Sequence, residues 1–464
     1  MYGESTGTTS RVDPAPPFDA GGGVEHLLVF ARYPQVGGTK TRLIPAVGAE
    51  SATAIYVALA THTLQTAQAF CQRRRCQLTI CFAGGDQAAM ASRFGQQFRY
   101  VPQQGDGLGP RLVYATQQAF SEGADRVVVI GTDCHELTAH HLEQAFEAVK
   151  RNDVVIGPAT DGGYTLIGLS HFQPIIFDGI TWSSEHVLAQ TRQRIRLAGK
   201  SCVQIATLSD VDEPPDLIGL RGAVPDKGFG VCFAPPTKNR ISVVIPTLNE
   251  ASQLPDTLAA LGTPSAALEA IVVDGGSTDA TLAIAKHWGC RTLQVTGGRA
   301  RQMNAGAAIA SGATLLFLHA DTRVPSDYAV IIERALAGDC VAGAFRLSIE
   351  GRDTGLRVVE WGANQRARWL QMPYGDQAIF IRANTFYQHG GYAHFPIMED
   401  YELMSRLRRV GKIQIVRESV RTSSRRWRQR GVIRTTLINQ ACLAAYHLGI
   451  SPRRIAAFYR HPRR

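Results

Sequence analysis

The chain runs twice through one series: an apolar stretch, a glycine-bearing loop, a helical stretch, then further apolar stretches that end in acids. From His26 the order is LLVFA, the loop PQVGGTKTR, an alanine-rich stretch over 48–70 and the run CQLTICFA, continuing through RVVVIGTD and DVVIGPATDGGY. From Ile241 it restarts as ISVVIPTLNE, a helix from Ala251, AIVVDGGSTD, a helix over 280–289 and the run ATLLFLHAD. Apolar runs alternating with helices read as buried strands joined by crossover helices, so each half predicts an α/β domain with a mostly parallel sheet. Ligands of such sheets bind outside the carboxyl ends of the strands, where these loops and acids fall.

A length of 464 residues with 45% hydrophobic and 19% charged side chains gives enough chain for two cores and excludes a disordered polyelectrolyte. The proline- and glycine-dense stretch around Pro214–Pro236 marks the break. The expected division is a flexible leader over 1–23, a first domain over 24–225, a linker over 226–239 and a second domain over 240–464. The leader lacks the apolar core of a signal peptide. Nine cysteines without a CxxC pair point to reduced thiols in the cytoplasm rather than a disulfide scaffold or zinc ribbon.

The net charge of +10 is uneven, because residues 405–464 carry 16 Lys or Arg against the single acid Glu418. The rest of the chain is therefore mildly acidic. A basic tail suits nucleic acid, an anionic membrane surface or a polyanionic small substrate. The stacking aromatics of an RNA-binding module are missing, so no specific nucleic acid is expected, whereas peripheral contact with the inner face of the membrane is. No stretch reaches the ~20 apolar residues of a membrane span. The uncharged stretch Thr435–Pro452 reads as a helix packed on its domain, or as an interfacial helix flanked by arginines.

Strand-end acids in the second half are Glu250, Asp274 with Asp279, and Asp321. Such acids suit Mg²⁺ or Mn²⁺ holding a diphosphate; equally, they start turns and cap helices. Asp400 opens a stretch with Leu403, Leu407 and Val410 at helical spacing. In the first half, the loop Arg32–Arg42 lacks the spacing of a Walker A loop. Its backbone N–H groups, with Lys40 and Arg42, still suit a phosphate.

SVVIPTLNE, VVDGGSTD, GRARQMNAGAAIASG, FLHADT and MEDYEL, in this order over about residues 240–430, resemble the family 2 glycosyltransferases of GT-A fold, of the arsenosugar-biosynthesis type. The resemblance implies transfer of a sugar, with inversion, from a metal-bound nucleoside diphosphate sugar to a hydroxyl of a small-molecule acceptor. It implies a nucleoside pocket at Pro246, Thr247 and Glu250, Asp274 at the base or ribose, and Arg301 and Asn304 along the nucleotide. Asp321 becomes the ligand of Mg²⁺ or Mn²⁺, with His319 where the family's DxD motif has its first acid. Asp400 of the Glu399-Asp400 pair becomes the general base. Asp376 and Gln377 are expected to hydrogen-bond sugar or acceptor, Arg426 to pair with phosphate and Trp427 to stack on the acceptor. SSRRW is similar to the QxxRW motif of processive synthases, but Ser423 replaces the Gln, which favours a single transfer.

VFARYPQVGGTKTRL, QQGDGLGPRL, VVVIGTDCHEL, DVVIGPATDGGYTLIGL and FDGITWSSEHV resemble GT-A-like proteins related to the guanylyltransferase of deazaflavin-cofactor synthesis, over about residues 26–210. That resemblance makes Asp133 the metal-site acid, puts Asp106 and Gly107 near a nucleotide and brings Asp161, with Gly162 and Gly163, toward the ligand. The fold expected for the whole is two tandem GT-A-like, nucleotide-diphospho-sugar transferase domains. Two alternatives stay open: a bifunctional protein whose first half is a nucleotidyltransferase supplying the sugar nucleotide, or a non-catalytic docking module with a membrane-binding basic tail.

Overall fold

The computed structural model describes residues 23–223 and 229–460, apart from the side chains of residues 230, 231, 426, 430 and 460. The leader, part of the linker, the side chain of Arg426 and the terminal Arg463 and Arg464 therefore lie outside the described residues. Contacts divide the chain into two units: the first holds the segments up to Tyr33, Leu64–Gly131 and Leu137–Leu208, the second Pro34–Thr63, Thr132–Glu136 and the chain from Ser209 onward.

The first unit is built on strands β1 (Glu25–Arg32), β2 (Gln77–Ala83), β3 (Arg99–Pro102), β4 (Arg126–Gly131), β5 (Val154–Pro158), β6 (Tyr164–Leu169) and β7 (Cys202–Gln204), in the order β3-β2-β1-β4-β6-β5-β7. β6 runs antiparallel to both neighbours and the other pairings are parallel. Leu27, Leu28 and Val29 on consecutive positions of β1 are all buried, as in a strand covered on both faces.

His26, the second residue of that strand, is 1% exposed, with Nε2 2.9 Å from the Thr79 hydroxyl and no hydrogen-bond partner at Nδ1. Burial lowers its pKa to about 4, with Glu122 raising and Arg99 lowering it less. The unfolded chain takes up the proton near pH 6.5, while the folded ring resists it down to about pH 4, so stability is lost as pH drops through this window. The His26 share of that loss is about 3 kcal/mol. His26→Gln should therefore lose less stability than the wild type between about pH 7 and about pH 4.5, read from urea unfolding midpoints.

The second unit carries β8 (Thr237–Thr247), β9 (Leu268–Asp274), β10 (Arg291–Gln294), β11 (Gly312–Phe317), β12 (Thr322–Arg323), β13 (Cys340–Ile349), β14 (Ile379–Arg382) and β15 (Lys412–Thr422), in the order β10-β9-β8-β11-β14-β13-β15-β12. β14 is antiparallel to β11 and β13, β12 is antiparallel to β15, and the rest pair in parallel. Both units are thus α/β with mixed, mostly parallel sheets.

Side chains alternate between two cores, as the strand period of two requires. Val244, Ile271, Val273, Leu315 and Phe317 enter one. Val243, Ile245, Val272, Leu316 and Phe380 enter the other. The first core also holds Leu43, Ala46, Ile55 and Leu59 and, after Ser209, Val211, Leu217, Leu220 and Phe229. That shared core is the physical reason the segments Pro34–Thr63 and Ser209–Ala223 group with the second unit. The helix Arg299–Ile309 lies close on this sheet because its contact residues are small: a Cβ on Gly306 would come within 2.4 Å of Val244 Cγ1. Among the described residues, no helix is long and apolar enough to cross a membrane.

Candidate active site

The carboxyl ends of β8, β9 and β11 bring the predicted acids of the second unit to one edge. At the end of β9, Asp274 is fully buried and accepts from the N–H groups of Gly276 (2.9 Å) and Ser277 (2.8 Å), from the Ser277 hydroxyl and from Thr247 Oγ1 at 3.2 Å. Burial raises its pKa, yet these donors more than offset it, so the carboxyl titrates below the usual range. Gln302 braces the same edge, donating to the carbonyls of Thr247 (2.8 Å) and Val273 (2.9 Å). Thr247 itself is buried at the end of β8, next to Pro246.

The turn after β8 is held by side chains. Asn249 is left-handed (φ 55°), and its Oδ1 accepts from Thr278 N at 2.8 Å. Asp279 accepts from Thr281 and from Ala251 N, and those bonds hold its pKa low. Glu250 leaves this turn to take both oxygens to one Arg425 nitrogen, at 2.7 and 2.8 Å. This carboxylate bond raises the pKa of Arg425 further, against a smaller opposing effect of burial.

Asp321 follows β11. Its pKa is raised by burial, an effect that the charges of Arg425 and Arg299 and a bond from Thr322 only partly offset. Among the strand-end acids it is the one whose charge the fold leaves least compensated. Arg299, the first residue of its helix, has its Nη1 3.5 Å from His319 Nε2 and its Nε 4.0 Å from Glu399. Glu399 is 7% exposed, with its pKa raised by burial and by Asp400 and lowered by Arg299.

Asp400 sits in the first turn of the helix Glu399–Leu407, which starts after the left-handed Met398 (φ 71°). One carboxylate oxygen accepts from Gly375 N at 2.7 Å and the other from Tyr401 N at 2.7 Å. Gly375 also lies close to the β11 end: a Cβ there would lie 2.9 Å from His319 Nε2 and 3.6 Å from Asp400 Oδ2. The loop that carries it is fixed by Gln377, which is fully buried, donates to Phe345 O (3.1 Å) and accepts from Tyr374 N (3.3 Å). The guanidinium of Arg366 stacks 3.4 Å from the Tyr374 ring centre. Asp376 is half-buried in the same loop.

Other expected site residues are engaged differently. Arg301 is ion-paired with Glu213 and donates to Thr296 O at 3.3 Å. Asn304 is 1% exposed, and both ends of its amide clamp the backbone of Tyr392, at 2.8 and 2.9 Å. Trp427 is buried against Leu347, Ile349 and Leu356, so its ring packs in a core cluster instead of presenting a face to an acceptor. Lys40, left-handed at φ 48°, is buried between Asp133 (2.7 Å) and Asp212 (2.6 Å). Burial alone would lower its pKa, but the two carboxylates push it up to about 12. The exposed Arg42 is 3.7 Å from the half-buried Glu213. Asp106 and Asp161 are exposed residues of the first unit; Asp106 precedes the helix Leu108–Ser121, and Asp161 accepts from Gly163 N at 2.7 Å.

The roles of Arg299 and Gln302 and the pairing of Arg425 with Glu250 emerge only in the fold. Gly297 and Gly298 (φ 96° and 105°) were the available signal, since they start the helix at Arg299 and aim its first turn at the sheet edge. Among the described residues no three His, Cys, Asp or Glu side chains converge as a metal cage. A cation here would need most of its ligands from a bound substrate.

Residues 242–396 match the family model described as "Glycosyl transferase family 2", and residues 65–184 match that of "Uncharacterized protein conserved in bacteria (DUF2064)". The chain is 32% identical over 102 residues to a 4,4'-diaponeurosporenoate glycosyltransferase of Staphylococcus haemolyticus, covering 20% of this chain and 27% of that protein. It is 41% identical over 88 residues to a PGL/p-HBAD biosynthesis glycosyltransferase of Mycobacterium bovis, covering 17% and 34%. The chain thus spans about a third or less of these curated relatives. A solved structure from Desulfovibrio desulfuricans G20, described as a "putative nucleotide-diphospho-sugar transferase", is 34% identical with a TM-score of 0.41, over 44% of this chain and 90% of that one. Staphylococcus aureus TarS 1-349 in complex with UDP-GlcNAc is 18% identical with a TM-score of 0.33, over 40% and 58%. The C-terminal half therefore carries a family 2 glycosyltransferase domain, and a DUF2064 domain precedes it.

Proposed function

We propose that the second unit transfers a sugar from a nucleoside diphosphate sugar to a hydroxyl of a small acceptor, with inversion. One observation carries this reading. Gly375 is in contact range of both His319 and Asp400, and the Arg299 charge acts on both Asp321 and Glu399, which supports a donor-side acid and an acceptor-side base serving one site.

The nucleoside lies along the β8 and β9 ends, against Pro246, Thr247 and the Asp274 turn. Arg299, at a helix N-terminus, and Arg425 face the diphosphate. Asp321 and the diphosphate oxygens would hold Mg²⁺ or Mn²⁺, which supplies Lewis-acid stabilisation of the leaving group when bound. Asp400 takes the proton of the acceptor hydroxyl as its oxygen bonds to the anomeric carbon. The bond from that carbon to the diphosphate oxygen breaks, and the nucleoside diphosphate departs with the electron pair. A single displacement of this kind inverts the anomeric carbon.

Nucleoside diphosphate sugars with Mn²⁺ should raise the melting temperature of the protein. Arg425→Ala, which also frees Glu250, should weaken that donor affinity about tenfold or more. A panel without any stabilising donor would remove the reading, and unchanged affinity in Arg425→Ala would remove Arg425 from the diphosphate site. The resemblance to arsenosugar-type transferases puts arsenical acceptors in the activity panel. A second reading, that the first half makes the sugar nucleotide, rests on the resemblance of residues 26–210 to guanylyltransferase-related proteins. Pyrophosphate release from a sugar phosphate and a nucleoside triphosphate tests it.

A further inference from the structure

The helix Thr354–Leu370 has one face fastened to β13. Asn364 bonds the N–H and C=O of Leu347 at 2.8 and 3.0 Å, Glu360 accepts from Ile349 N, and Leu356 and Ala367 are buried. Val358, Trp361, Gln365 and Trp369, spaced three and four apart, form the opposite face. Trp361 is 66% exposed, Trp369 73% and Val358 64%. The guanidinium of Arg368 lies 5.3 Å from the Trp369 ring centre.

This helix packs on a second helix that also leaves apolar side chains exposed. Val432, which begins the helix Val432–His447, joins the Leu356 and Trp427 cluster. Its inward side buries Thr435 and Cys442, while Ile433, Leu437 and Leu448 are exposed at 76%, 64% and 80%, with Ala441 and Ala444 between them. After Arg434 this helix has no charged side chain. The following helix, Pro452–Arg460, adds Phe458, 51% exposed, with Arg453 and Arg454.

We propose that these outward faces dock on an anionic phospholipid bilayer. Exposed Trp rings on an amphipathic helix suit the headgroup boundary, where the apolar body is buried and the N–H stays wet. Charge selects the bilayer over a second copy of the chain. No acid follows Glu418 in the sequence, so two copies would bring arginines against arginines, whereas anionic headgroups attract them. Contact is peripheral, since among the described residues no helix spans a membrane. The surface also adjoins the proposed acceptor side, because His447, at the end of its helix, hydrogen-bonds Tyr401 beside Asp400 at 2.7 Å.

The full chain should co-sediment with vesicles of an equal phosphatidylcholine and phosphatidylglycerol mixture, and much less with phosphatidylcholine alone. Trp361→Ser with Trp369→Ser should lower the partition coefficient about tenfold or more. Arg368→Gln with Arg434→Gln should weaken binding to the anionic vesicles and leave the weak neutral-vesicle binding unchanged. Equal binding of the double Trp variant, or no preference for the anionic vesicles, would overturn the proposal. So would a wild-type dimer in light scattering that the Trp variant returns to monomer. Vesicle binding needs neither donor nor acceptor, so its failure leaves the transfer reading standing, and the reverse holds.

Discussion

Replacing Asp400 by Asn is expected to slow sugar transfer about 10²–10⁴-fold in kcat with little change in donor affinity. Asn keeps the size and one accepting oxygen, so a bond from Gly375 N or Tyr401 N survives. What it loses is the capacity to take the acceptor proton. Its cost to stability is small, about 0.3–1 kcal/mol for a charge removed from a helix first turn. Steady-state rates together with donor-induced melting shifts separate the two effects. Glu399→Gln is the control: burial raises that carboxyl's pKa, so a neutral amide is the smaller perturbation there. Full activity in Asp400→Asn with loss in Glu399→Gln would move the base by one residue.

Asn304→Ala is expected to destabilise the protein by about 2–4 kcal/mol, read as a lower urea midpoint at unchanged m. The substitution removes two hydrogen bonds and leaves the N–H and C=O of buried Tyr392 without partners. The site has no room to relax cheaply. Tyr392 packs edge-on against Phe317 at 4.9 Å between centroids, and a Cβ on Gly391, at φ 63°, would meet Asn304 Oδ1 at 2.7 Å. The family resemblance gives Asn304 a different role, along the nucleotide. A variant of normal stability with lost donor affinity would restore that role, whereas a stability loss with donor affinity kept in the folded fraction assigns Asn304 to the fold.

The alternation of apolar runs with helices made two α/β sheets legible, because strand and helix periods are local properties of the chain. The acids at strand ends were equally legible. The expected division at residues 226–239 is a different case: composition marks a break there, yet Leu43, Ile55, Val211 and Leu217 share a core with Val244 and Phe317. Such sharing is not written in any local pattern. Trp427 shows the same limit: the SSRRW resemblance implies an acceptor-stacking ring, whereas Leu356, from a helix far away in sequence, packs against it.

The sequence by itself determined the strands, the glycine turns that follow them and the positions of Glu250, Asp274, Asp321 and Asp400 at element ends. Only the tertiary structure decided what each acid's charge meets. Glu250 is neutralised by Arg425, 175 residues away; Asp274 is saturated by its own turn; Asp321 is desolvated; Asp400 is tied to Gly375. The reason is physical: a carboxylate's position follows from local backbone geometry, but its ionisation and its chemistry depend on solvent exclusion and on partners that only long-range packing supplies.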